Sequence, residues 1–167
     1  MKKLFLIATI FIFSLFSSYA IRNFGYSTLL LMVEETENGT FEAQKETPIF
    51  DGLIDYLWET DILFFDMRID KPITVRNEAL DPVPFIGEAK ISGADMVLLI
   101  KIDYQFIDKD GTAEFKLVEV PYTYYSLTNY KVVKKGIAKI GLEKLFNSRK
   151  KREILKEIGK ELGSKIE

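Results

Sequence analysis

Two groups of side chains in this 167-residue chain have the chemistry of a contact surface. The first is a set of four tyrosines, Tyr122, Tyr124, Tyr125 and Tyr130. Tyrosine rings give a large contact area at low entropic cost, which suits them to a sugar or a protein partner. Tyr122 and Tyr124 are two residues apart, so on a strand they share one face. We therefore predict an aromatic platform; the alternative is that the rings pack between strands and are partly buried.

The second group is the basic run Arg149, Lys150, Lys151 and Arg152, where the last helix is predicted to begin. Cations at that position oppose the positive end of the helix dipole. Basic residues at the positive end of a helix dipole therefore indicate a binding site for an anion or an acidic partner. The alternative is a solvated helix face, which is the commoner use of a charge run. Both groups are candidate partner-binding residues.

The chain has few residues that are suited to catalysis or to metal binding. The chain has no histidine and no cysteine, which excludes His-dependent serine and cysteine hydrolases, thiolate chemistry and Cys/His zinc sites. SGAD at 92–95 precedes an apolar run, whereas a phosphate loop follows a strand and opens a helix. DKDG at 108–111 places its glycine too early for an EF-hand and predicts a hairpin turn. We expect a protein that is not an enzyme and holds no cofactor or metal.

The first twenty residues have the pattern of a secretory signal. Two lysines precede an apolar run from Leu4 to Phe16, and Ser18 and Ala20 form a small-x-small cleavage site. We expect cleavage after Ala20, which leaves an exported, periplasmic protein with no stable membrane span and no nucleic-acid partner. The alternative is a retained anchor, although the run is shorter than the roughly 20 residues that cross a bilayer comfortably.

Charge is distributed unevenly along the chain. Residues 34–70 contain 11 acids and two bases, a balance of −9, while residues 131–167 contain 12 bases and five acids, a balance of +7. Such asymmetry can mark an electrostatic partner site. The interpretation we favour is that the two segments meet in the fold and their fields partly cancel.

Hydrophobic periodicity predicts the elements that position these groups. Strands at 27–33 and 61–69 flank an apolar-striped helix that begins at Pro48, is capped by Thr47 and runs to Trp58. A short helix follows at about 85–92, then a strand at 96–106, a returning strand at 115–125 and a third from about Tyr130. The final helix, which Ser148 could cap, has an apolar stripe made by Ile154, Leu155, Ile158, Leu162 and Ile166.

Two glycines mark special backbone positions. Gly93 is predicted to end the short helix in the left-handed region and to deliver the chain into the strand at 96. Gly136 interrupts the alternation of the last strand and predicts a bulge there. The sequence thus predicts a signal at 1–20 and a single α/β (α+β) domain at 21–167. Its mixed sheet has about five strands with helices packed on it, in the order β-α-β-(α)-β-β-β-α.

Three stretches carry a resemblance to a known group of proteins. They are the apolar helix from Ile49 to Trp58 leading into ILFFDMR, the run SGADMVLLIKI, and FKLVEV followed by YKVVKKG. Over about residues 27–166 the chain resembles the envelope α/β domains of the TolB N-terminal region, the CsgG secretion protein and the LpoB penicillin-binding-protein activator. The resemblance implies a non-enzymatic periplasmic module that binds other envelope proteins.

Three functions follow as hypotheses. The first is a protein–protein interaction or assembly module of the cell envelope, which contacts its partner through the tyrosine-bearing hairpin or the basic start of the last helix. The second is a periplasmic protein that binds a glycan or peptidoglycan fragment through the aromatic hairpin. The third is an enzyme that uses Tyr and Lys. The partner is expected to be an envelope protein, and a homo-oligomer is compatible with the same features.

Overall fold

The structure is a computed structural model that describes residues 27–42, 48–58, 60, 62–73, 83–109, 112–141 and 145–166. The described residues form eight strands and three helices. In chain order these are β1 Ser27–Glu37, β2 Thr40–Glu42, α1 Pro48–Leu57, β3 Ile62–Met67, α2 Ile86–Ile91, β4 Met96–Lys109, β5 Thr112–Glu119, β6 Pro121–Ser126, β7 Lys131–Ile137, β8 Leu145–Phe146 and α3 Ser148–Gly163. The predicted mixed α/β class is confirmed. The signal segment, Thr47 and the Asp-Gly pair at 110–111 lie outside the described residues.

All eight strands belong to one sheet organised around β4. On one side β4 pairs in parallel with β1, which pairs in parallel with β3, so β1, α1 and β3 form the predicted crossover unit. On its other side β4 pairs antiparallel with β6 along its first half and with β5 along its second half. The strand predicted at 115–125 is therefore two strands, separated at Val120. The short strands β2 and β8, which were not predicted, extend the sheet at the end where β4 finishes.

Alternate residues of the central strands supply two cores, one on each face of the sheet. On one face α1 and α3 cover Leu31, Leu98 and Ile100, and this core includes Leu53 and Ile158 from the two helices. The other face is smaller. There α2 and the segments around Ile69 and Val83 cover residues of β1 and β4 such as Met32 and Leu99. A sheet buried on both faces explains why β1 and β4 read as continuous apolar runs.

Helices α1 and α3 touch backbone to backbone because glycines face each other. An ideal Cβ on Gly52 would overlap the carbonyl oxygen of Lys156, and one on Gly159 would overlap that of Ile49. A Cβ on Gly163 would lie 2.9 Å from the side chain of Tyr56. The ion pair between Asp55 and Lys156, at 2.9 Å, lies beside this contact. Sequence periodicity gives the apolar stripes of the two helices, but it did not reveal this glycine-dependent contact.

Several expected boundaries are corrected. Strand β1 continues past Val33 to Glu37 because Glu34 and Glu35, although charged, are buried and partnered. Helix α1 ends at Leu57, so Trp58 leaves the apolar stripe and is 80% exposed. The cap of α3 is Asn147, whose side chain accepts from the backbone N–H of Lys150 at 3.0 Å, and Ser148 is the first helical residue.

The prediction for Gly93 is confirmed. It follows α2 with φ of +78° and donates its N–H to the Lys90 carbonyl, while Ala94 donates to that of Ala89. Such a left-handed residue ends a helix at little cost when it is glycine. The chain then enters β4 at Met96, as the sequence predicted.

Candidate functional site

The structure places three of the four candidate tyrosines inside the fold. Tyr122 and Tyr124 share a face, as predicted, and form a T-shaped pair with ring centres 5.8 Å apart, but both are buried beneath α3. The Tyr124 hydroxyl donates to the Leu162 carbonyl at 3.1 Å, and burial raises the pKa of Tyr124 well above its ordinary value. Tyr125 is buried in the opposite core. The expected aromatic platform is therefore corrected, because both faces of β6 pack into the cores of the domain.

Tyr130 is the one candidate tyrosine with an exposed ring. It ends the turn between β6 and β7 with φ of +55°, a left-handed conformation that is uncommon for a residue with a large side chain. The Nζ of Lys90 lies 4.5 Å from the centre of the Tyr130 ring, within range of a cation–π contact. Tyr130 therefore lies on the surface, next to the first residue of β7.

The basic run at the start of α3 is divided between surface and interior. Lys151 points inward, with its Nζ 3.6 Å from the Tyr104 ring centre and 3.8 Å from the Glu35 carboxylate. Burial lowers the pKa of Lys151, and the charge of Glu35 opposes that shift. The Tyr104 hydroxyl donates to Glu35 at 3.3 Å, and burial together with this carboxylate raises the Tyr104 pKa. Lys151 thus docks α3 onto the sheet.

The other three cations of the run lie on the surface. Arg149 faces Glu153 at 3.9 Å along the same helix, and Arg152 faces Asp51 of α1 at 3.6 Å. Lys150 is exposed. Glu35 and Asp51 belong to the acidic segment of the chain, as does Asp55, which pairs with Lys156. The favoured interpretation of the charge asymmetry is confirmed, because the acidic and basic segments meet along α1, α3 and β1.

Strands β3 and β7 each pair with a single neighbour among the described strands, and β7 is the more exposed of the two. It pairs with β6 along one edge, and no strand of the described chain pairs with its outer edge. Six of its seven residues are exposed. Val132 is 46% exposed, Val133 63% and Ile137 46%. Edge lysines commonly protect a strand from unwanted pairing, but exposed valines and an isoleucine beside them are not explained by that role.

The lysines of this edge have few partners. Lys131, Lys135 and Lys139 make no side-chain ion pair with a carboxylate in the described part of the chain. Lys134 donates from its Nζ to the Lys165 carbonyl at 2.6 Å, which ties the strand to the end of α3. The edge therefore has uncompensated positive charge along an open strand.

Hydrogen bonds attach the β6–β7 hairpin to α3. The Glu161 carboxylate accepts from the backbone N–H groups of Lys139 and Ile140, at 3.2 and 3.4 Å, just after β7 ends, and it also pairs with Lys165. The Tyr124 hydroxyl makes a second link to α3, through Leu162. These contacts fix the orientation of β7 relative to the core.

The predicted bulge lies elsewhere on the strand. Tyr124 pairs with Lys134 and Tyr125 with Val132, so Val133 is the extra residue in β7. Gly136 instead lies directly opposite Tyr122, and a Cβ at Gly136 would come 2.7 Å from the Tyr122 hydroxyl. Gly136 therefore makes room for a buried ring, and the bulge lies at Val133, the most exposed apolar residue of β7.

We name residues Lys131–Ile137 together with Tyr130 the basic edge, and it is the candidate functional site. The sequence analysis had identified this hairpin through its tyrosines. The signal that it missed was the spacing of Lys131, Lys134 and Lys135 around Val132 and Val133, a mixture typical of a strand with one open edge. Among the described residues, no helix is long and apolar enough to cross a membrane, and no acidic cluster could hold a metal ion.

Comparisons with known proteins find likeness in fold only. No protein-family model matches the chain, and no curated protein matches it significantly. Solved structures with a similar fold include lipoprotein GNA1162 from Neisseria meningitidis, at 14% identity and a TM-score of 0.48, covering 84% of this chain and 97% of that one. TolB from Acinetobacter baumannii is similar at 8% identity and a TM-score of 0.43, and the match covers 84% of this chain but 27% of TolB. At these identities the likeness concerns the fold.

Proposed function

We propose that the protein is a non-enzymatic interaction module of the cell envelope, exported through its N-terminal segment, and that the basic edge is its contact surface. The observation that carries the proposal is the open outer edge of β7, where exposed Val132, Val133 and Ile137 lie among lysines. An open edge presents unpaired backbone N–H and C=O groups, and an extended segment of another protein can add to it as a strand. The basic edge therefore suits a partner segment in extended conformation.

Charge specifies the partner further. Lys131 and Lys135 have no described carboxylate partner, so an acidic segment would neutralise them while its apolar side chains cover the two valines. Complementary charge accelerates encounter and excludes basic competitors. The partner we propose is an envelope protein with an exposed, extended segment in which acidic and apolar residues alternate.

The attachment of the hairpin to α3 supports this function. Glu161 and the Tyr124 hydroxyl attach β6 and β7 to α3, so the edge is oriented before a partner arrives. A preorganised edge avoids the entropic cost of ordering a loop on binding. By contrast, the glycan hypothesis required several exposed rings, and of the four tyrosines only Tyr130 provides one.

Site-specific photo-crosslinking in living cells tests the proposal. A photoreactive residue replaces Val133 on the basic edge or, as a matched control, Val118 on β5, which is 43% exposed and also lies in a strand. We expect a discrete protein adduct from position 133 and none from position 118. In the protein that carries the photoreactive residue at position 133, the double substitution Lys131→Glu with Lys135→Glu should abolish the adduct. Equal adducts from both positions, or an adduct that survives charge reversal, would contradict the proposal.

A further inference from the structure

A second surface lies at the end of the sheet where the parallel strands β1, β3 and β4 begin, which we name the entry end. Ser27, the first described residue, pairs there with Ile62, and Leu29 pairs with Met96 two residues further on. The backbone N–H of Asp95 donates to the Thr28 carbonyl at 2.8 Å, which closes this end of the sheet. Everything that precedes Ser27 in the chain must leave from this position.

Large apolar side chains at the entry end are unusually exposed. Trp58, in the connection that leads into β3, is 80% exposed, and Ile91, at the end of α2, is 89% exposed. Leu63, which pairs with Thr28, is 54% exposed. The Tyr130 ring lies at the same end, because Lys131 pairs with Ser126, which pairs with Met96. Single exposed apolar residues are ordinary, but several at one end of a molecule indicate a contact.

The opposite end of the sheet provides a comparison within the same molecule. Its exposed apolar residues keep about half of their surface in water or less: Phe106 37%, Val118 43% and Leu145 51%. Near-complete exposure of a tryptophan and an isoleucine is therefore particular to the entry end among the described residues.

The chemistry at the entry end matches the boundary between lipid and water. Tryptophan and tyrosine favour the headgroup level of a bilayer, where the ring is in apolar surroundings and the polar atom is hydrated. Isoleucine and leucine gain by leaving water. Lys90 and Lys131 at this end are matched in number by the exposed Glu88 and Asp95, so the contact would not depend on anionic lipid.

The sequence before Ser27 would bring this end to a membrane. The apolar run from Leu4 to Phe16 is followed by only the residues 17–26 before the domain begins. Ten residues span at most roughly 35 Å when fully extended. A run inserted in the bilayer would therefore keep the entry end, where the chain joins the domain, within this distance of the lipid surface at high effective concentration.

We infer that the entry end of the domain is a lipid-contacting surface, with Trp58, Leu63, Ile91 and Tyr130 at the headgroup level of the membrane that holds the N-terminal run. The contact belongs to the form of the chain that keeps residues 1–20, the alternative to cleavage after Ala20. It leaves most of β7 free, because the strand runs away from this end towards Ile137, and it shares only Tyr130 with the basic edge.

Trp58 is the only tryptophan in the chain, so its fluorescence reports the contact directly. The full chain is reconstituted in phosphatidylcholine vesicles, with and without bromine on the acyl chains, and iodide is added outside. We expect Trp58 emission to shift to shorter wavelength, to be quenched by brominated lipid and to be shielded from iodide. Open access to iodide without bromolipid quenching would overturn the inference. Shielding from iodide without bromolipid quenching would also overturn it, because protein would then cover the ring.

A matched pair of substitutions sharpens the test. Ile91→Ser should lower the ratio of docked to undocked domains by about tenfold, the effect of losing one buried aliphatic side chain. Leu145→Ser, at the opposite end and 51% exposed, should change nothing. Equal effects of the two substitutions on bromolipid quenching would overturn the inference. Crosslinking through Val133 in the same vesicles should be unaffected by Ile91→Ser, which separates this contact from the proposed partner site.

Discussion

The two basic regions of the molecule, the start of α3 and the edge formed by β7, look alike in sequence and differ in the fold. At the start of α3, Lys151 is packed between Glu35 and two aromatic rings, and Arg152 faces Asp51. On β7, Lys131 and Lys135 have no described carboxylate partner and lie beside exposed valines. The difference teaches that a charge run stays available for a contact only where the fold leaves it unneutralised.

The first region stabilises the fold, and its foundation is the close contact between α1 and α3. Gly159→Ala would place a methyl group on the Ile49 carbonyl, so we expect a loss of about 2 kcal/mol or more in the free energy of unfolding, typical of overpacking. Gly87→Ala in α2 is the matched control, because a Cβ there meets nothing within 4 Å. That control should be neutral or slightly stabilising. Urea unfolding followed by circular dichroism measures both, and similar values would contradict the close contact.

The next effect separates the two regions directly. Lys151→Ala should cost about 2 kcal/mol, because it removes a mostly buried cation from Glu35 and from the Tyr104 ring. Lys135→Ala on the basic edge should stay within about 0.5 kcal/mol of the wild type, as exposed substitutions usually do. Urea midpoints of the two variants test the distinction. Equal losses would mean that the edge lysines also stabilise the fold.

A smaller effect distinguishes the buried from the exposed tyrosines. Tyr124→Phe removes the hydroxyl that donates to the Leu162 carbonyl and should cost about 1 kcal/mol. Tyr130→Phe removes an exposed hydroxyl and should be close to neutral. Thermal unfolding of the pair measures this difference, and a larger loss from Tyr130→Phe would contradict the placement of the two rings.

The smallest effect concerns pH. The hydrogen bond and charge of Lys156 lower the pKa of Asp55 below its ordinary value of 3.8. A carboxyl with a lowered folded-state pKa contributes stability above its unfolded pKa, and this contribution is lost as pH falls through the folded pKa. Asp55→Asn should therefore reduce the acid sensitivity of unfolding below about pH 4, by a small amount because the pair is exposed. Unchanged acid sensitivity in the variant would show that Asp55 is not coupled to Lys156 in solution.

Much of the fold could be predicted from the sequence because local signals agreed with one another. The apolar runs of β1 and β4, the Pro48 start of α1 and the Gly93 helix end each have a local physical cause, and all four are present. Burial was harder to predict. Glu34 resembled a strand boundary, yet it is buried because it accepts from the Ile73 N–H at 2.7 Å and faces Lys101 at 3.5 Å.

The candidate site was predicted only in part, for the same reason. The hairpin that bears the tyrosines is present, but three of them lie in its interior, with Tyr122 and Tyr124 in one core and Tyr125 in the other. Hydrophobic periodicity does not predict which edge of a sheet stays unpaired, since that depends on pairings between strands that are distant in sequence. The residues of the basic run differ in burial for a similar reason. Lys151 faces inward because Tyr104 and Glu35 lie beneath it, and these residues are distant in sequence.

One measurement compares the two basic regions as contact surfaces. The yield of the protein adduct formed through a photoreactive residue at position 133 is measured in cells with two matched charge reversals. These are Lys131→Glu with Lys135→Glu on the edge, and Arg149→Glu with Lys150→Glu on the exposed start of α3. We predict that the first pair abolishes the adduct while the second leaves it unchanged. Loss of the adduct in the second pair alone would contradict the assignment of the contact surface to β7.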